Sequence, residues 1–469
     1  MFPWLSAAGV VPLAGSLLVA VAPARLAKVL ALICSLATLG VVIAAATRYQ
    51  SGGPRFQLVE HHSWVPAFGV SYAVGVDGVA LVLIGLAAVL TPVVLLAADA
   101  RTARGFFALV LALETTMIVV FAATDVFLFY VFFEAMLIPM YFLIGRYGGE
   151  RSGPAALKFL LYSLTGGLLM LVAVLVLGRS AGTFDFAALA GRVGNQRWLF
   201  LGFFVAFAIK APLWPFHGWL PDAAEQATPT VAVLLIGVLD KVGTFGMLRY
   251  CLTLFPEAAH YFTPLVVVLS LVGVVYGALV AIGQTDIVRL VAYTSVSHFG
   301  FITLGVFAMT PESQAGSALY MVSHGLTTAA LLLIAGFLIS RRGSRRIDDY
   351  GGVVRVAPVL AGLFLFAGLA TLALPGLSGF TAEFLVLVGT FAAYPVAAVI
   401  GVLGVVLAAI YVLWLYQRTM TGPITESVSG MRDLGGRERW VMVPLVALIL
   451  FLGLYPQPVL DVVAAGGAR

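Results

Sequence analysis

Four lysines stand against twenty-two arginines in this chain. Two of the four, Lys210 in WLFLGFFVAFAIKAPLWPF and Lys241 in VAVLLIGVLDKVGTFGML, fall inside stretches apolar enough to cross a membrane. No arginine falls as deep in an apolar stretch, so the cation at bilayer depth is the kind that can release its proton; a guanidinium cannot cycle. An ionisable residue there costs about 2.5 to 3.5 kcal/mol by insertion scales, which makes function its default reading. Acids and imidazoles lie at similar depth: Glu114, Glu134, Asp240 beside Lys241, and Glu383, with His298 and His324. Amines, carboxylates and imidazoles spread through apolar helices point to proton transfer.

Each buried acid also has a packing reading, as one half of a helix-to-helix ion pair or as a protonated, hydrogen-bonded carboxyl. Six charges and two histidines together favour the proton path. Glu114, near mid-span with no helix break beside it, keeps both readings. Asp240 is set for a structural or tuning role, because neighbours on a helix point about 100° apart and it cannot share one face with Lys241. Ser317, Tyr320, His324 and Thr328 follow at offsets of three, four and four, one face of a helix, and Thr294 with His298 is a shorter version. Such stripes can hold a file of water beside a neutral imidazole, which accepts and passes protons near physiological pH. His217, in WPFHGWLPD, is a helix cap or a gate. The histidines lack the company of a metal site, and HExxH is absent.

Magnitudes suit a switch. A carboxylate about 4 Å from an ammonium, at an effective dielectric near 20, contributes roughly 4 kcal/mol. Moving one charge against about 150 to 200 mV costs about 3.5 to 4.6 kcal/mol. An acid that approaches loads the lysine, and one that withdraws lets it discharge; Glu134 is the candidate partner of Lys210. The chain has no phosphate-binding glycine loop, dinucleotide fingerprint, or ligand set for haem or an iron-sulfur cluster. The driving force is expected from a partner subunit or a second ion gradient.

The elements that must hold these groups are membrane helices. The chain is 62% hydrophobic and 10% charged, with a mean hydropathy of +1.07, whereas soluble domains carry about 25% charged residues. Its net charge of +5 comes from loop arginines that report topology, not from a nucleic-acid surface. Cys34 and Cys251 sit in separate apolar stretches and suggest no disulfide framework. At about 20 residues per span, the fold class is an all-α polytopic membrane protein. Its fourteen helices are predicted near 4–22, 27–46, 77–97, 106–122, 125–144, 156–178, 198–214, 229–252, 262–282, 288–308, 315–340, 357–394 with a break, 396–416 and 439–456.

The first residues carry no positive segment before their apolar run and predict an outside N-terminus on an uncleaved first span. Seventeen Lys and Arg, Arg101 among them, then fall in inner loops. Seven fall outside: Arg48, Arg55, Arg179, Arg192, Arg197, Arg249 and Arg469. Both termini are expected outside. Residues 47–76, with His61, His62 and Trp64, are predicted to be a loop, and 1–469 a single transmembrane domain. The seventh span runs into Pro212, Pro215 and Pro221, and the twelfth contains LPGLSGF. Broken helices at this depth line a cavity or are buried in protein. Lying five spans apart, they suit an inverted repeat of five-helix units, approximately 106–252 and 262–416.

The run AIKAPLWPFHGWLPDAAEQATPTVAVLLIGVLDKVGTFGMLRY resembles the broken-helix region of the antiporter-like subunits of respiratory NADH:quinone oxidoreductase, complex I. FYVFFEAMLIPMYFLIGRYG, YTSVSHFGFITLG, YMVSHGLTTAALLLIAG and LPGLSGFTAEFLVLVGTF match the same family in the same order, from about Asp77 to Tyr416. The resemblance implies a proton-pumping module without redox chemistry of its own, in a bacterial cytoplasmic membrane. NADH, FMN, iron-sulfur clusters and quinone would belong to partner subunits. Its neighbours would be other membrane subunits, sister antiporter-like subunits and lipid, with no nucleic acid and no metal.

By position, Glu134 looks like the span-five glutamate, Lys210 the span-seven lysine, Lys241 the central lysine and Glu383 the terminal proton site. His298 and His324 match the connecting histidines, and Glu114 a less certain span-four glutamate. Asp240 departs from the apolar residue usual before the central lysine. Glu383, where sister subunits usually carry lysine, points to one particular member. Subunits of multisubunit Na+/H+ antiporters and membrane-bound hydrogenases share the scaffold and form the alternative.

Overall fold

A computed structural model describes residues 2–99, 102–191, 193–194 and 196–466. Arg101, Arg192 and Arg469 of the orientation argument lie outside the described residues. We number the helices by the spans they occupy: α1 Trp4–Val21, α2 Ala24–Ala46, α3 Gly78–Ala97, α4 Arg104–Ala122, α5 Val126–Tyr147, α6 Ser152–Ala181 and α7 Gln196–Lys210. There follow α8 Pro229–Leu254, α9 Pro256–Ile282, α10 Ile287–Ala308, α11 Pro311–Arg342, α12a Pro358–Thr371, α12b Ser378–Ala393, α13 Pro395–Met420 and α14 Gly436–Leu454.

Eleven of the described helices are long and apolar enough to cross a membrane, and a twelfth arises if α14 is joined to Gln457–Ala464 across a 74° bend. The remaining two predicted spans are the broken ones. α7 has 15 residues and stops at Lys210, so Lys210 ends a helix instead of standing mid-span as expected. The residue before a proline is disfavoured in helical conformation, and Pro212 enforces the stop. α12 is split into α12a and α12b around Leu372–Leu377, where Gly376 takes a φ of +91°.

Local signals set several helix starts. Side chains of Asp77, Asp125 and Asp286 accept from the first free amides of α3, α5 and α10. Thr310 and Ser313 form a reciprocal cap before α11, with Pro311 at its first position. The segment expected to be a loop contains an antiparallel hairpin, β1 Gln57–Val65 and β2 Val70–Val76. The alternation of large and small residues in VSYAVGV suits a strand, and β2 is buried on both faces from Ala73 to Val76. The connecting turn closes on Gly69 at φ +68°, which glycine adopts without strain. Glu60 accepts from the Leu5 amide at the start of α1 (2.8 Å), and Asp125 accepts from Ser71 (3.0 Å), so the hairpin is bonded to α1 and α5.

The expectation of a single domain meets a division into two compact units. One comprises Met1–Ala211, Val238–Val266 and Val459–Arg469; the other comprises Pro212–Gly237 and Val267–Pro458. The chain changes unit at the end of α7 and again inside α8. The helices that carry Lys241, His298 and His324 are the most covered, with α8 and α10 each 94% buried and α11 89%, whereas α5, which carries Glu134, is 50%, α2 28%, and α6 and α13 39% buried. The apolar outer faces of the latter present leucine, valine and tryptophan, as helices facing lipid or other subunits require.

Candidate proton-translocation site

In the first unit, Lys210 is the last residue of α7 and is 1% exposed. A cation suits a helix C-terminus, where free carbonyls carry partial negative charge. Its Nζ lies 4.8 Å from the centre of the Phe133 ring and 5.7 Å from that of Phe159, and it makes no hydrogen bond among the described residues. Glu134 and Asp240 both act on it electrostatically. The Glu134 carboxylate, one residue beyond Phe133 on α5, occupies the space where a side chain at Gly167 of α6 would stand. Its Oε1 also lacks a hydrogen bond.

Lys241 and Asp240 are both fully buried on α8. No proline breaks α8 there; instead two π-helical stretches, Leu235–Leu239 and Met247–Cys251, flank the α-helical Lys241–Gly246. Hydropathy contains no sign of them. Widened turns inside α-helices occur mostly at functional sites. Gly243 brings α8 against the end of α7: a methyl there would lie 2.6 Å from both the Ala211 nitrogen and the Phe207 oxygen. Neither Asp240 oxygen has a hydrogen-bond partner, and the carboxylate faces the fields of both Lys241 and Lys210. Among the described residues it is therefore not one half of a hydrogen-bonded packing pair. Glu114 is likewise buried with both oxygens unbonded, near Cys34.

One expectation fails here. Arg249, counted among outer loop cations, is 3% exposed. Its Nη2 lies 2.6 Å from Asp77 Oδ2. Nε donates to the same oxygen, and Nη1 donates to the carbonyls of Phe121 and Ala123 that end α4. An arginine is thus buried after all, at a span end. Its guanidinium satisfies the carbonyls left free by a helix terminus, for which its fork of donors is suited.

The second unit is bonded differently. Tyr320 of α11 donates to Glu383 Oε2 of α12b (3.1 Å). His298 Nε2 of α10 lies 3.0 Å from the Tyr411 hydroxyl of α13. The His298 ring stands 5.8 Å from Tyr320 and 5.2 Å, edge to face, from His324. Glu383 Oε1 remains without a hydrogen-bond partner. A cavity of about 10 Å³, close to the room one water needs, touches Tyr411, Thr294 and Thr371.

The polar stripe divides. Tyr320 and His324 join this cluster, whereas Ser317 donates to the Ile302 carbonyl (2.9 Å) and Thr294 to that of Val291 (2.8 Å). Tertiary and local carbonyls take the protons of these hydroxyls. His217 packs between Tyr276 and Tyr293, ring centres 5.1 and 6.3 Å away. Sequence reasoning missed Tyr411, since an aromatic in YVLWLY reads as a lipid-facing residue. It also missed Gly167, although a Gly166–Gly167 pair inside a 30-residue apolar helix is a visible sign of close approach.

Two interrupted helices, one ending on buried Lys210 and one carrying buried Glu383 after its break, are the features of an antiporter-like membrane subunit. Residues 123–410 match the family described as NADH:quinone oxidoreductase/Mrp antiporter, transmembrane. The chain is 53% identical to NADH-quinone oxidoreductase subunit M of Mycobacterium tuberculosis over 98% of its length and 92% of that protein's. It is 40% identical to subunit M of Rhodobacter capsulatus, over 95% and 90%. Respiratory complex I from Thermus thermophilus with bound NADH contains a chain of the same shape, with a TM-score of 0.90 at 33% identity over 99% and 100% of the two chains.

The Mrp complex of Dietzia sp. DQ12-45-1b contains a chain with a TM-score of 0.89 at 23% identity, covering 98% and 96%, which shows the shared fold alone. The chain belongs to the NADH:quinone oxidoreductase/Mrp antiporter family, among its subunit M members. That is the branch to which Glu383 pointed.

Proposed function

We propose that this chain is the subunit M proton-translocating module of a bacterial NADH:quinone oxidoreductase, seated among other membrane subunits and coupled to quinone reduction elsewhere in the complex. NADH oxidation, FMN, the iron-sulfur clusters and quinone chemistry belong to partner subunits; this chain holds and moves protons. It sits in the cytoplasmic membrane with both termini outside, and its five-helix units around 106–252 and 262–416 are inverted copies.

Protons pass through Lys210, Lys241, His298 or His324, and Glu383. Lys210 Nζ holds a proton while the Glu134 carboxylate stays close and releases it when the carboxylate withdraws. Asp240 adds a second acid to the same field. The proton moves on to the Lys241 amine, and Glu383 releases it at the far end. Imidazoles connect the two, taking a proton on one ring nitrogen and giving one from the other. The observation that carries this reading is the group formed by half-buried Glu134 with buried Lys210, Asp240 and Lys241, in which Lys210 Nζ, Glu134 Oε1 and both Asp240 oxygens lack hydrogen bonds among the described residues. Unpaired polar groups are costly in an apolar interior, and groups that must change charge cannot be locked into a static pair.

The test uses the intact complex in membrane vesicles. Glu134→Ala and Lys210→Ala are expected to abolish or sharply reduce proton pumping while the complex assembles and oxidises NADH with an artificial acceptor. Full coupled turnover in both variants defeats the reading. The antiporter alternative predicts sodium-dependent proton movement by this subunit instead, a difference that sodium-free vesicles reveal directly.

A further inference from the structure

The buried face of α6 carries an arrangement that none of the preceding roles uses. Phe159, Ser163 and Gly167 follow at intervals of four, so they lie on one stripe. Phe159 lies beneath the Lys210 ammonium, its ring centre 5.7 Å from Nζ. At the other end, a methyl group on Gly167 would overlap Glu134 Oε1 and stand 2.5 Å from Cδ and 3.1 Å from Oε2. Only a glycine leaves that notch open. Between them Ser163 is 2% exposed, and its hydroxyl has no hydrogen-bond partner among the described residues. Many helical hydroxyls in the chain turn back onto their own helix, as Thr165 does on the Leu161 carbonyl (2.8 Å) and Thr371 on that of Ala367 (2.8 Å), and others bond a neighbouring helix, as Ser317 does. Ser163 does not.

We infer that this stripe of α6 is the seat of the switching acid: the Gly167 notch admits the Glu134 carboxylate, and the Ser163 hydroxyl, one turn away, donates to it, directly or through one water. The two residues set how near the carboxylate comes to Lys210. They are positioning residues, acting on the proton path only through Glu134. The claim rests on the proposed role of Glu134 and Lys210 in proton transfer.

The test again uses the whole complex. Gly167→Ala fills the notch and pushes the carboxylate off α6. A cryo-EM map of that variant is expected to show Glu134 displaced, and pumping is expected to fall by roughly 10²-fold, the scale of an ångström's misplacement at a reacting group, with artificial-acceptor NADH oxidation intact. Adding Glu134→Asp, which withdraws the carboxylate by one methylene, is expected to restore pumping several-fold over Gly167→Ala alone. In the native background the same change lowers pumping.

Ser163→Ala is expected to cost about two- to tenfold, the weight of one hydrogen bond, and to move the pH profile of pumping. Ser163→Thr, which keeps the hydroxyl, returns the profile. If Gly167→Ala fails to assemble, the two Ser163 variants still decide the matter. An unmoved carboxylate in the Gly167→Ala map, no recovery from Glu134→Asp, or an unchanged pH profile in Ser163→Ala overturns the seat. A displaced carboxylate with undiminished pumping instead overturns the proton role of the pair on which it rests.

Discussion

The two units hold their titratable groups by opposite means. In the first, an amine and two carboxylates lie in apolar surroundings, Lys210 over aromatic faces and Glu134 in a notch, with no hydrogen bond among the described residues on Lys210 Nζ, Glu134 Oε1 or either Asp240 oxygen. In the second, Glu383 is bonded to Tyr320 and His298 to Tyr411. Unbonded charges respond strongly to small displacements, because Coulomb energy in a poorly screened interior varies steeply with distance. Bonded chains hold geometry and pass protons along it. On the proposed proton path, the first unit would change charge state by movement, and the second would conduct and release. Arg249 and Asp77 mark the contrast inside the first unit itself: a buried ion pair whose Nε and Nη1 donate to Asp77 and to the Phe121 and Ala123 carbonyls.

Variants at each place can break this contrast. The largest effect is expected from Lys241→Met, with a loss of pumping on the order of 10²-fold or more, as for removal of a proton-transfer group, and assembly preserved because an unbranched apolar side chain of similar length fills the same buried site. Proton uptake per NADH measures it, and assembly loss with normal stoichiometry in the remaining complex would place Lys241 with Arg249 as a structural residue. Arg249→Met should do the reverse: breaking one partner of a buried pair costs about 3 to 5 kcal/mol, so complex yield falls while each assembled complex pumps normally.

Tyr320→Phe removes a single hydrogen bond from Glu383 and is expected to slow pumping by about two- to tenfold, with Tyr411→Phe at or below that range. Equal losses for Tyr320→Phe and Lys241→Met would erase the distinction between a conductor and a switch.

The smallest effect lies in the loop before α14. Desolvation pushes the Asp433 carboxyl up, but the amides of Val359, Leu434 and Leu360, with Arg439, pull further the other way and hold it below the usual carboxylate range. A depressed carboxyl contributes stability that is present above its unfolded value and is lost as pH falls through its folded one. Asp433 accepts from the first amides of α12a at 2.9 Å. Asp433→Asn should therefore cost about 1 kcal/mol or less, in the range of a helix cap, and weaken the acid dependence of thermal unfolding below about pH 4. The melting temperature across that range checks it.

Much of this was legible in the residues. Hydropathy and proline placement located every span and both breaks, and chemistry-bearing residue types at depth singled out Glu134, Lys210, Lys241 and Glu383, because the cost of burying charge makes each one conspicuous. Period-two alternation in VSYAVGV was readable too and went unread inside a stretch taken for a loop. Partners were not legible. Which carbonyl takes the proton of Ser317 or Thr294 depends on what a neighbouring turn offers, and Tyr411 meets His298 only because α13 turns its hydroxyl toward that ring.

What the chain alone determined is therefore which groups are buried and where helices must stop, since desolvation and the missing amide of proline act through residue type. Only the tertiary structure decided which groups meet and which stay unbonded. Contact across helices depends on rotation, on π-helical turns such as those flanking Lys241, and on notches such as Gly167 that exist only where two helices pack.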